Sequence, residues 1–142
     1  MISHKVVRPL VALALGLMLA LYAYQWATDP EPRLQRAREE AVVFSARDIL
    51  QSYVAPGQDL EIVDPVSPNR KVGKVYIYPA GDGWEVSGHY RRSDHDRWHP
   101  YLMSLNGGAV LESLAVRDGN DRLIGMSSQD PRFSAVAPVS ID

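Results

Sequence analysis

From Val72 onward, apolar and polar residues alternate with a period of two, and four turn signals cut the alternation: "AGDG", "SDHD", "NG" and "DGND". Turn length fixes which residues face each other across a hairpin, so the register can be counted. A four-residue loop at residues 80–83 pairs Pro79 with Trp84 and Ile77 with Val86. A four-residue loop at residues 93–96 pairs Tyr90 with His99 and Val86 with Met103. A two-residue Asn106-Gly107 turn pairs Leu105 with Gly108, Met103 with Val110 and His99 with Leu114. A turn centred on Gly119-Asn120 sets Val116 opposite Leu123. These turns place Val75, Ile77, Trp84, Val86, Tyr90, Tyr101, Met103, Leu105, Val110, Leu114, Val116 and Leu123 on one face. A slip of one residue would break that agreement.

The expected fold is α+β: a four- to five-stranded antiparallel meander under one amphipathic helix. Leu34, Ala37, Ala41, Phe44, Ile49, Leu50 and Tyr53 recur at three-to-four spacing over about residues 33–54. Asp29 suits the cap of that helix, Pro30 its first position and Glu31 its positive end. Ala55-Pro56-Gly57 stops it; "LEIV" then reads as a short strand and "DPVSPNRK" as a loop. Glu112 is the misfit on the apolar face, and belongs at its rim or beside a partner.

Residues 9–27, "PLVALALGLMLALYAYQWA", carry no formal charge and approach the ~20 residues a helix needs to cross a bilayer. Tyr22, Tyr24 and Trp26 mark one end as an interface. A cleaved signal would want small residues at positions −3 and −1, but ending at Ala27 puts Gln25 at −3 and ending at Ala23 puts Leu21 there. The expectation is a retained single-pass anchor in a bacterial inner membrane. A cytoplasmic tail (residues 1–8, with Lys5 and Arg8) precedes it. An extracytoplasmic domain (28–126) and a C-terminal tail (127–142) follow. Arg33, Arg36 and Arg38 count against this orientation, and the acidic residues among them weigh little.

The chemistry is bounded by what the chain lacks. It has no cysteine, which removes disulfides, thiol catalysis and cysteine-held metal. A net charge of −2 argues against a nucleic-acid partner. No nucleophile elbow, P-loop, dinucleotide fingerprint or H-E-x-x-H occurs. The densest cluster is "GHYRRSDHDRWHP", which holds His89, His95 and His99. The counted register puts His99 on the helix-facing side, His89 on the other and His95 in the turn. Metal ligands must converge to ~2 Å of one ion, so no metal is expected here. Ser93, His95 and Asp96 are neighbours in one turn and cannot form an in-line nucleophile relay. Neither catalytic residues nor a cofactor are expected, and the chain does not read as an enzyme.

The second sheet face is richer. It should present Tyr76, Tyr78, Trp98, Leu102 and Leu111 among Lys74, Glu85, Ser87, His89, Arg91 and Arg117. Aromatic residues interspersed with arginine mark partner surfaces. Tyr76, Tyr78, His89, Arg91, Trp98, Leu102 and Leu111 are therefore the candidate partner surface. The competing reading folds residues 127–142 over this face with Phe133, Val136 and Val139.

A membrane span, a long helix and a meander containing "GWEVSGHYRR…WHPYLMSLNGGAVLESLAV" resemble the small cystatin-like or NTF2-like extracytoplasmic domains of single-pass bacterial membrane proteins. In those a Trp-x-Val-x-Gly strand precedes two more. The chain is also similar to the anchored domain of cytochrome oxidase assembly factors. No functional residue is carried over from either. The function expected is a non-catalytic, membrane-anchored periplasmic interaction domain, an accessory subunit or assembly factor of an inner-membrane protein complex. The alternative is a small-ligand or metal-binding module using a cavity between helix and sheet, and a third reading is a minor hydrolase.

Overall fold

The computed structural model describes residues 4–28 and 30–139. The chain divides into two units, one through Arg36 and one from Ala37. The first contains α1 (His4–Thr28), whose 25 residues rise about 37 Å, more than the ~30 Å hydrocarbon core of a bilayer. Every α1 side chain from Lys5 on is exposed. By length and composition α1 suffices to cross a membrane. Thr28 Oγ1 donates to the Tyr24 carbonyl at 2.7 Å and closes its last turn. Next comes α2 (Glu31–Val54), where the Pro30 carbonyl accepts from Leu34 N at 3.0 Å. The expected cap, Asp29, lies outside the described residues.

In the second unit α2 buries Val42, Val43, Ala46, Leu50 and Val54. Leu34 and Phe44, expected on the buried stripe, are 55% and 51% exposed. Four consecutive apolar residues, Ala41 to Phe44, cannot all share one stripe at 100° per residue. The 42–46–50 and 43–46–50–54 spacings set the buried face, and Phe44 turns out under the Arg47 guanidinium, 5.2 Å from its ring.

Beneath α2 lies a mixed sheet of six strands: β1 (Glu61–Val63), β2 (Tyr76–Ala80), β3 (Gly83–Arg91), β4 (His99–Leu105), β5 (Leu111–Arg117) and β6 (Phe133–Val136). The order is β1-β3-β4-β5-β6, and β2 also pairs with β3. β1 takes residues 89–91 of β3 and β2 takes 83–87, so the two short strands share one edge. The first two hairpins pair as counted: Ile77 with Val86, Val86 with Met103, Tyr90 with His99.

The third hairpin departs from the count. Leu105 pairs with Leu111 and Met103 with Leu114, with an irregularity between Ser104 and Leu105. Asn106 is not a turn corner here. Its Oδ1 accepts from Gly108 N and Val110 N at 2.9 and 3.0 Å, which lengthens the loop and puts Ala109 at φ 57°. Glu112 is the extra residue of the bulge, which resolves its misfit: it is exposed, while Leu111 swings into the core and Val110 out of it.

The fourth turn is not a hairpin at all. Asn120 caps α3 (Asp121–Gln129) by accepting from Arg122 N at 3.0 Å. The chain then returns as β6, parallel to β5. The sheet is therefore mixed and not the purely antiparallel meander expected. The segment after residue 126, read as a tail, holds the end of α3 and strand β6. Leu123 is still fully buried, but from a helix.

The core closes between α2, α3 and one sheet face: Val86, Tyr90, Tyr101, Met103, Leu105, Leu111, Leu114, Val116, Phe133 and Ala135 meet Val43, Ala46, Leu50, Val54 and Leu123. One polar strut crosses it. Asp64 is fully buried at the start of the β1–β2 connection and receives Arg47 of α2 as a two-pronged ion pair, with Nη2 to Oδ1 at 2.8 Å. Asp64 Oδ1 also accepts from Val66 N and Ser67 N at 3.0 and 2.9 Å, so one carboxylate fixes the loop and ties it to the helix.

Candidate functional site

Two places collect chemistry. The first is the sheet end where the histidine-rich segment lies. His99 is buried, and its Nδ1 sits 3.1 Å from the Arg117 carbonyl, with Nε2 3.1 Å from Asp96 Oδ1. Tyr90 donates to Asp118 Oδ2 at 2.6 Å and Arg92 Nη2 donates to the same oxygen at 2.8 Å. Asp118 Oδ1 accepts from Asn120 N at 3.1 Å. The Tyr90 ring lies 5.2 Å from the His99 ring.

Burial alone would push the Asp118 carboxyl up, but the bonds from Tyr90, Arg92 and the Asn120 backbone outweigh it and hold it below the usual carboxylate range. Asp96 is lowered in the same way: burial raises it, while the Arg92 backbone N–H and His99 lower it more. Burial, with the Asp118 bond, raises the Tyr90 phenol. The Tyr90 hydroxyl, Arg92 Nη2 and the Asn120 N–H all converge on Asp118, and His99 bridges Asp96 and the Arg117 carbonyl. The chemistry of this cluster is that of a clasp joining β3, β4, the end of β5 and the approach to α3.

Asp118 and Arg92 were not singled out from the sequence, and Tyr90 only as a residue of the helix-facing side. A signal existed: the alternation that buries Leu114 and Val116 reaches Asp118 two residues later, and the one that buries Tyr90 reaches Arg92. Of the three histidines, His99 faces α2, His95 is exposed in the turn, and His89 lies on the opposite face. His89 is half-buried beneath Gly73, where a Cβ would fall 2.5 Å from His89 Cε1. Burial lowers its pKa.

The second place is the far sheet face. Tyr76, Tyr78 and Leu102 are 40%, 43% and 39% exposed. Tyr76 and Tyr78 stack at 5.2 Å. Tyr78 donates to Glu85 Oε2 at 2.6 Å, which pushes its phenol up to about 12. Arg91 lies over Trp98, 4.5 Å from the ring, and pairs with Glu61 at 2.7 Å. So Tyr76, Tyr78, Arg91, Trp98 and Leu102 share this face, with His89 partly covered. Leu111 does not: the bulge at Glu112 turns it inward, and it is 8% exposed. Of the described residues after 126, some turn to the core and others line this face. Phe133 and Ala135 enter the core, while Ser134, Val136, Ala137 and Val139 line one side of a trough of about 460 Å³ on the far side.

These observations define an α+β domain with an N-terminal helix fit to cross a membrane. No family model, curated protein or solved structure matches the chain.

Proposed function

We propose that this chain is a membrane-anchored periplasmic interaction domain, a non-catalytic accessory subunit or assembly factor of an inner-membrane protein complex. It is held in the bilayer through residues 9–27, docks on partner membrane proteins through the far sheet face, and has no nucleic-acid partner. One observation carries the reading: the core is fully supplied on one side of the sheet, yet the other side keeps Tyr76, Tyr78 and Leu102 in water. At this exposure each of them forgoes roughly 0.6–1.2 kcal/mol of burial, and a partner that covers them recovers it. The likeness to cystatin-like or NTF2-like domains is supported by the helix-on-sheet layering, and the parallel β6 departs from its antiparallel pattern.

Mild-detergent purification of the tagged full-length chain tests this, beside a Tyr78→Ser/Trp98→Ser variant. Membrane proteins should co-purify with the parent and be lost from the variant, while both stay in the membrane pellet after carbonate extraction. Equal recovery from both would remove the far face from the reading, and release by carbonate would remove the anchor.

A further inference from the structure

We infer that the trough on the far face binds one acyl chain of a fatty acid, with its carboxylate on Arg117; it takes up Tyr76 and Leu102 and leaves the Tyr78 and Trp98 part of that face to the partner protein proposed above. Two transverse rows form the trough. Tyr76, Ser87, Leu102, Ala115 and Ser134 are successive cross-strand partners on β2, β3, β4, β5 and β6. Pro100, Arg117 and Val136 make the neighbouring row, and Val139 rims it. Small side chains at Ser87, Ala115 and Ser134 leave the space on either side of Leu102.

The dimensions choose among occupants. Five strands at ~4.8 Å spacing give a row about 19 Å long, and rows two residues apart lie about 7 Å apart along the strands. An extended peptide would fit, but the strands of the floor already use their N–H and C=O groups on each other. Its own backbone groups would then enter an apolar trough without partners. An acyl chain carries no such groups, and one leaflet of a ~30 Å hydrocarbon core implies a chain of about 15 Å, which the row accommodates. The volume of about 460 Å³ falls within the usual range for small-ligand sites.

Charge fixes the headgroup. Arg117 is the one charged side chain among the described lining residues, and no ion pair or side-chain hydrogen bond from another described residue engages it. Its backbone carbonyl is held by His99, which anchors the residue without occupying the guanidinium. A planar guanidinium matches a carboxylate with two parallel bonds. A single chain ending in a carboxylate therefore suits both the apolar row and its lone cation.

The test uses the full-length chain in phosphatidylcholine nanodiscs, labelled with photoreactive palmitate and, in parallel, with photoreactive hexadecanol. The modified peptides are mapped by mass spectrometry. Palmitate should label β4, β5 and β6 and be competed by unlabelled palmitate. Ala115→Trp, at an exposed strand position that tolerates an aromatic, should reduce that labelling at least tenfold. Ser134→Phe serves as a second filling variant, and circular dichroism confirms that both fold. Arg117→Gln should weaken palmitate labelling about tenfold and leave hexadecanol labelling unchanged. Labelling confined to α1, or trough labelling that survives both filling variants, overturns the site. Equal loss of both probes with Arg117→Gln overturns the carboxylate assignment.

Discussion

The two faces of the sheet are built from the same strands and differ in how their side chains are satisfied. On the helix side, Val86, Met103, Leu105 and Leu114 are no more than 1% exposed and each touches side chains from distant parts of the sequence. On the far side, the aromatic contacts are short-range: Tyr76 stacks on Tyr78, Tyr78 bonds Glu85, and Arg91 covers Trp98. The first face stabilises the fold. The second is ordered by its own neighbours, so its aromatic rings are already fixed before anything binds, and less side-chain entropy is lost when something does.

Breaking the helix side should have the largest effect. Leu114→Ala is expected to cost about 3–5 kcal/mol, read from the urea midpoint, because the cavity opens between two helices and the sheet and cannot collapse. A cost below 1 kcal/mol would mean that this face is not the core. Asp118→Asn comes next at about 2–3 kcal/mol, since Arg92 loses its charge partner and the buried Tyr90 hydroxyl its acceptor.

Acid should act through the same clasp. The folded-state pKa values of Asp96 and Asp118 lie below the ordinary carboxylate value. Their contribution is therefore complete above about pH 3.9 and is lost as pH falls through the lower folded values. Urea midpoints should drop between pH 6 and pH 3, and drop less in Asp118→Asn; an equal drop would place the acid sensitivity elsewhere. The smallest effect belongs to the far face: Tyr78→Ser/Trp98→Ser should shift melting by no more than about 4 °C. Unfolding of that variant would erase the contrast between the faces.

How much of this was legible in the sequence divides at Asn106. Before it, turns of ordinary geometry let the count place Ile77, Val86, Tyr90, His99 and Met103 on their observed face. After it, side chains replaced backbone geometry as the determinant. Asn106 and Asn120 both read as turn formers, yet one accepts two backbone N–H groups to lengthen a loop and the other caps a helix. A helix as short as α3, with Gly125 inside it, shows only Leu123, Ile124 and Met126 as its large apolar residues, and three positions do not separate one period from another. The far-face residues followed from alternation alone, except Leu111, which a single extra residue reversed. Arg117 was placed on the correct face, but its isolation among apolar residues depends on β6, which the sequence pattern concealed.

The crossover through α3 also governs the order in which this domain becomes native. Tyr53 near the end of α2 stacks on Phe133 at 5.3 Å and donates to Asp130 Oδ2 across 77 positions, while Arg122 donates to the Tyr53 and Val54 carbonyls at 2.9 and 2.7 Å. Closing a loop of that length costs about 2.6 kcal/mol more entropy than closing a four-residue hairpin loop. The hairpins from β2 to β5 therefore nucleate early, and the seating of α3 and β6 against the end of α2 is a late kinetic step. Until it occurs, β5 presents an open edge and the final carbonyls of α2 await Arg122. The interval of greatest exposure to aggregation and proteolysis falls just before residues 121–136 dock.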